Sequence, residues 1–174
     1  MNKVSDVLTL KLTFELVPRT AWFSNVRSMV SKQNWDVLRK ECYAQANNLC
    51  EICGGRGSQH PVEAHEVWQY DDKQKIQKLV RLIALCPSCH SVKHIGNSLL
   101  RGVEEGTLSH FQDALCHFQA VNVLTQKEAT ELLKDAFSIW EERNSHQWKC
   151  DVSWLDGKDI PYQPERQSKG GDAK

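Results

Sequence analysis

Four of the chain's seven cysteines stand in two pairs, Cys50-Glu51-Ile52-Cys53 and Cys86-Pro87-Ser88-Cys89, and no other feature of the 174 residues constrains the fold as strongly. A CxxC turn presents two sulfurs from one tight loop, and two such turns meet the demand of a zinc ion for four tetrahedral ligands with little backbone strain. Paired spacing of this kind is metal-ligand spacing, whereas a disulfide framework scatters its cysteines. The expectation is a structural Zn²⁺ held by Cys50, Cys53, Cys86 and Cys89, in a reducing compartment of cytoplasmic type. Gly54 and Gly55 supply the permissive backbone that the first knuckle needs, and Pro87 stiffens the second. The remaining Cys42, Cys116 and Cys150 read as small, buried apolar side chains.

At roughly 100–200 residues per domain, the length argues for one domain, placed at 1–160, with 161–174 a mobile tail because it lacks apolar anchors beyond Tyr162. The hydrophobic share of 40% beside 25% charged residues is that of a soluble globular chain. No apolar run approaches the roughly 20 residues of a membrane span, and the first residues alternate polar with apolar, unlike a secretory signal. Formal net charge is zero, yet it is unevenly placed: residues 1–101 carry 14 Lys and Arg against 9 Asp and Glu, and residues 102–174 carry 8 against 13. A mildly basic face around the cysteine region and an acidic helical flank are compatible with that split.

Leu8, Leu10, Leu12, Phe14 and Leu16 alternate with polar residues, so 7–17 reads as a half-buried strand. Leu38, Cys42, Tyr43 and Ala46 recur at helical spacing in 33–47, a helix that delivers the chain to Cys50. Between the cysteine pairs, 62–70 and 76–85 read as strands joined by Asp71-Asp72-Lys73, a hairpin. A short helix is expected from about Cys89 to the breaker Gly96, with His90 and His94 on one face. Further helices follow over 107–121 and from Thr125, where Thr125 and Glu128 form a capping-box pattern. Together these elements define an α+β chain.

The order CEICGG, VEAHEVW, LIALCPSCHSVKH resembles the zinc-containing branch of the HNH endonucleases over residues 50–95. The resemblance implies a ββα-metal, treble-clef-like unit, packed with the N-terminal strand and helix and the C-terminal helices. It implies a catalytic divalent cation (Mg²⁺, Mn²⁺, Ni²⁺ or Zn²⁺) held by His65 and His90, with His94 completing the metal face or binding phosphate. Glu66 stands where the family has its general-base histidine, and Arg81 stands at the position of the central asparagine. Two registers stay open: His65 as ligand with Glu66 activating water, or His65 as base with Glu63 or Glu66 as carboxylate ligand.

By the same resemblance the partner is nucleic acid, DNA, and no membrane is involved. Lys73, Lys75 and Lys93, with Arg56, Lys78, Arg81 and Arg101, are the side chains expected to meet phosphates, which would make binding salt-sensitive. A zinc scaffold kept for binding without catalysis is the alternative, since the departures at Glu66 and Arg81 are what such a module would carry. A third reading leaves the work to the acidic C-terminal helices, with the zinc unit merely folding the chain.

Overall fold

The computed structural model describes residues 9–22 and 25–163. At its centre, β1 (Glu63–Asp71) and β2 (Ile76–Leu85) form the expected antiparallel hairpin. Asp71 Oδ1 closes the turn by accepting from the backbone N–H groups of Lys73 and Gln74, both at 2.9 Å. The pairing slips between Val67 and Trp68, whose partners are Arg81 and Leu79. Val80 is therefore the extra residue of a bulge, and it stands 42% exposed. The bulge turns Leu79 onto the same face as Leu82 and Ala84, while Ile83 and Leu85 point the other way.

Both faces of the sheet are thus apolar and both are covered. On one side lie α1 (Val26–Met29), α2 (Lys32–Gln45) and the 3₁₀ segment Ser153–Lys158, contributing Val26, Met29, Leu38, Cys42 and Leu155. On the other lie α3 (Pro87–Lys93), α4 (Ile95–Glu105), α5 (Ser109–Asn122) and α6 (Gln126–Asn144), contributing Val92, Ile95, Ala114, Phe118 and Ala129. A strand that sequence periodicity did not reveal, β3 (Lys149–Asp151), pairs parallel to β2 and gives the sheet order β1-β2-β3. Its three residues are too few to display a period. Among the described residues β1 pairs only with β2, so β1 is an edge strand.

The expected N-terminal strand does not form within 9–17; residues 7 and 8 lie outside the described residues. The alternation does sort side chains, since Leu12 is fully buried and Leu10, Phe14 and Leu16 pack on the α3–α6 core. The backbone finds a side chain in place of a ladder. Asn122 Oδ1 accepts from Lys11 N at 2.9 Å and Leu12 N at 3.1 Å, and its Nδ2 donates to Leu12 O at 2.9 Å. Glu15 N donates to Lys93 O, tying the segment to α3.

Other boundaries shift for local reasons. The second knuckle starts its helix earlier than expected: Cys86 is the N-cap, its sulfur accepting from Cys89 N, and Pro87 fills the first helical position. Gly96 does not break the chain's helicity but sits inside α4, after a kink at His94. The capping box of Thr125 and Glu128 opens α6 as expected. Within the expected tail 161–174, residues 162 and 163 are tied down: Tyr162 bridges to Val30, Gln163 N donates to Met29 O, and the Tyr162 hydroxyl donates to Asp156. Residues 164–174 lie outside the described residues.

Asn122→Ala should strand the buried N–H of Leu12 and lower stability by about 2 kcal/mol, the usual cost of an unsatisfied buried donor. Thermal denaturation beside the wild type measures it; an unchanged melting temperature would show that this anchor is dispensable.

Candidate metal centres

The two knuckles meet. In the first, Gly54 N donates to Cys50 O at 2.8 Å, Cys50 N donates to Gly55 O at 2.9 Å, and Gly54 takes φ +74°, a region open to glycine without strain. In the second, the N-cap geometry of Cys86 brings Cys89 round by one turn. The four sulfurs lie within 4.8 Å of one another, with Cys53 and Cys86 3.6 Å apart. A tetrahedral ion with Zn–S bonds of about 2.3 Å spaces sulfurs about 3.8 Å apart, so the cluster fits a metal ion such as zinc.

The thiols also push each other's protonation apart. A hydrogen bond from Cys89 pulls the Cys50 thiol well below its usual pKa, while burial raises Cys86 and the bond to Cys50 raises Cys89. Four thiolates cannot crowd this volume without a compensating cation. A fifth side chain joins them: His117 of α5, 3.2 Å from Cys89 Sγ through Nε2. Burial keeps its imidazole below the ordinary pKa, so the ring is neutral and can donate an N–H to the sulfur. Of the other cysteines, Cys42 is buried and Cys150 half-buried, but Cys116 is exposed, against expectation.

A second cluster stands on the same helix. His65 comes from β1, His90 from α3 and His94 from the kink that follows, four residues on. Their ring centroids are 4.6–5.2 Å apart with nearly perpendicular planes, and their ligand nitrogens lie within 4.8 Å of one another. Burial, reinforced by the neighbouring imidazoles, holds His90 below its usual pKa and His94 down to about 3. Neutral rings are the metal-binding form.

Carboxylates orient two of them. Glu15 Oε2 accepts from His65 Nε2 at 2.7 Å, and Glu63 is shared by His90 Nδ1 and by His60 Nε2, the latter at 2.6 Å. Each such bond leaves the other ring nitrogen its lone pair, the arrangement common behind metal-bound histidine. Burial opposes ionisation of Glu15, yet the hydrogen bond from His65 and the charge of Lys93 hold its carboxyl below the usual range. The cluster opens on a cavity of 330 Å³ that Glu15, His65, Glu66, His90 and His94 help to line. Ala64, His65, Glu66 and Trp68 are all exposed to it because it runs along the edge of β1, where both strand faces can be reached. Burial raises Glu66 to about 7, against the pull of hydrogen bonds from Val26 N, 2.6 Å away, and Trp68.

The other expected site residues lie elsewhere. Arg81 is exposed on β2, its guanidinium paired with Glu51 Oε2 at 2.7 Å, and does not line the cavity. Lys73 is at the exposed hairpin tip, and Lys75 sits 5.9 Å from the Trp148 ring near the same end. Lys93 is not an exposed phosphate ligand: it is 7% accessible, and its ammonium donates to Thr13 and Glu15, both at 2.9 Å. Arg56, Lys78 and Arg101 are likewise engaged with Asn47 O, Asp151 and Glu105.

Sequence reasoning missed Glu15 and His117. Glu15 was hidden as the outward member of an alternating segment, whereas His117 does carry a signal, falling in phase with Ala114, Phe118 and Val121 on the buried face of α5. Compared with known proteins, the chain matches no family model, no curated protein and no solved structure. No helix of the described residues is long and apolar enough to cross a membrane.

Cys50→Ser or Cys86→Ser should release the metal and unfold the hairpin–α3 region, because a site of this kind contributes on the order of 10 kcal/mol. Elemental analysis with circular dichroism checks it. A folded variant that retains its full metal content would remove these sulfurs from the ligand set.

Proposed function

We propose that the chain is a metal-dependent endonuclease of the HNH type, hydrolysing phosphodiester bonds in DNA. The observation that carries this reading is the convergence of His65, His90 and His94 at ligand distance, on the edge strand of a hairpin that runs directly into a helix, beside a cavity. The order β1, β2, α3 between and after two cysteine knuckles is the order of a ββα-metal unit, with the four-cysteine ion in a structural role. A divalent cation held by the three imidazoles would polarise the scissile phosphate and stabilise the leaving oxygen.

The chain's own groups supply the rest. Glu15 and Glu63 fix the ring orientations of His65 and His90. Glu66 lines the same cavity and is the group placed to accept the proton of the attacking water; the register in which His65 ligates is preferred because His65 points towards His90 and His94 while Glu66 occupies the opposite strand face. Arg81 has no part in this scheme, since it is paired with Glu51.

That last observation favours one alternative: a zinc scaffold that binds nucleic acid or a protein partner without cutting, with Arg81 at the position the resemblance gives to the central asparagine and turned away to Glu51. Metal stoichiometry separates the two. The nuclease needs a second, exchangeable divalent ion that His65→Ala and His90→Ala abolish, whereas the binding module keeps one tight zinc that neither change affects.

Plasmid cleavage with Mg²⁺, Mn²⁺, Ni²⁺ or Zn²⁺ should fall at least ~10²-fold in His90→Ala, and ~10²- to 10⁴-fold in Glu66→Gln, the range for loss of a general base. Equal cleavage by wild type and His90→Ala would trace the activity to a contaminant and end the enzyme reading.

A further inference from the structure

The cations expected to meet phosphate are engaged within the chain or lie at the far end of the hairpin, so a nucleic-acid reading needs its phosphate contacts elsewhere. The other side of the β1 edge offers them. A trough of 690 Å³ lies between α2 and the start of β1, lined among others by Arg27, Lys32, Trp35, Arg39, Tyr43 and His90. It is continuous with the histidine cavity, because Arg27, Trp35, Ala64 and His90 line both.

The α2 members form one helical stripe. Lys32, Trp35, Arg39 and Tyr43 follow one another at three- or four-residue steps, so all four face the same way. Trp35 and Tyr43 each pack one part of the ring on the Leu38–Leu79 core and present the remainder to the trough, which fixes the rings in place. Two acids also line it, but both are already satisfied: Asp36 holds Arg39 Nε at 2.7 Å, and Glu63 holds His60 and His90. Among the described residues, Arg27 and Lys32 have no ion-pair partner, and both are exposed. Fixed aromatic faces interleaved with open cations, leading to a metal-ligand cluster, match the chemistry of an unpaired nucleic-acid strand, in which phosphates meet cations and bases stack on rings.

Resting on the nuclease reading of the histidine centre, we propose that this trough is the track of a single strand of DNA. Arg27 and Lys32 meet its phosphates, Trp35 and Tyr43 stack its bases, and the strand passes over the edge of β1 so that one phosphate arrives at His90. The substrate class is then DNA with a single-stranded segment. Sequence preference is not built in, because ring faces accept every base.

The test uses the full chain loaded with zinc, and reads fluorescence anisotropy with a labelled oligothymidylate of about 16 nucleotides beside a duplex of the same length. Arg27→Ala/Lys32→Ala should weaken strand binding at least ~10-fold and flatten the salt slope by about 1.4, two contacts at about 0.7 each. Tyr43→Leu, which keeps an apolar side chain against the core, should weaken strand binding without flattening that slope. Unchanged affinity and slope in the double variant, while His90→Ala still abolishes cleavage, would overturn the track and leave the nuclease reading intact. Strand binding that depends on Arg27 and Lys32, in a wild type that cuts nothing with any metal, would support the track and overturn the nuclease. Tighter binding of the duplex through the same two cations would overturn the single-strand assignment.

Discussion

Everything in this protein is built around the crowding of four sulfurs. Cys50 and Cys53 precede the hairpin across the loop 54–62, and Cys86 and Cys89 follow directly after β2, so an ion shared by the four would close the hairpin at its base. Closure fixes more than a loop. Because Cys86 is also the N-cap of α3, the same junction sets the direction in which α3 leaves the sheet, and with it the positions of His90 and His94 relative to His65. His117 extends the junction to α5, and the core of Ile83, Leu85, Val92 and Phe118 packs directly beneath it.

The histidine cluster shows how expensive polar chemistry is kept in a fixed place. His65 and Lys93 are nearly as buried as the core, and each is matched by an oxygen: Glu15 serves both, with Thr13 assisting Lys93. Removing Glu15 would leave buried donors unsatisfied, which costs more than the pairs gain. The N-terminal segment that supplies Glu15 is itself held by Asn122 and Lys93. Positioning of the candidate metal ligands therefore reaches well beyond the hairpin and α3, into α5 and the first residues described.

How much of this could be read from the sequence follows from the range of each interaction. The knuckles, the hairpin, the apolar spacing of Leu38, Cys42 and Ala46 in α2 and the capping box of α6 are local patterns, and they were legible because CxxC spacing, two-residue alternation, 3.6-residue periodicity and Thr-x-x-Glu each specify geometry within a few residues. The segment around Leu12 shows the limit: its alternation announced which side chains are buried but not that Asn122, more than a hundred residues away, would stand in for a partner strand. β3 was invisible for the same reason, being three residues recruited by β2. Among the site residues, the gathering of Cys50, Cys53, Cys86 and Cys89 and of His65, His90 and His94 was legible by type and spacing, and His117 was not. Lys93 was misread because basic character says nothing of burial, and Arg81 because alignment to a motif position says nothing of the Glu51 carboxylate waiting beside it.

An unpartnered strand edge is ordinarily a hazard, since its open N–H and C=O groups invite a foreign strand to add on. In this chain the border of β1 is also where the histidine cavity and the α2 trough meet, so whatever fills that channel shields the border from self-association. Occupancy and clumping compete for one strip of backbone: a full channel keeps the molecules apart, and an empty one leaves the strip open to a neighbour.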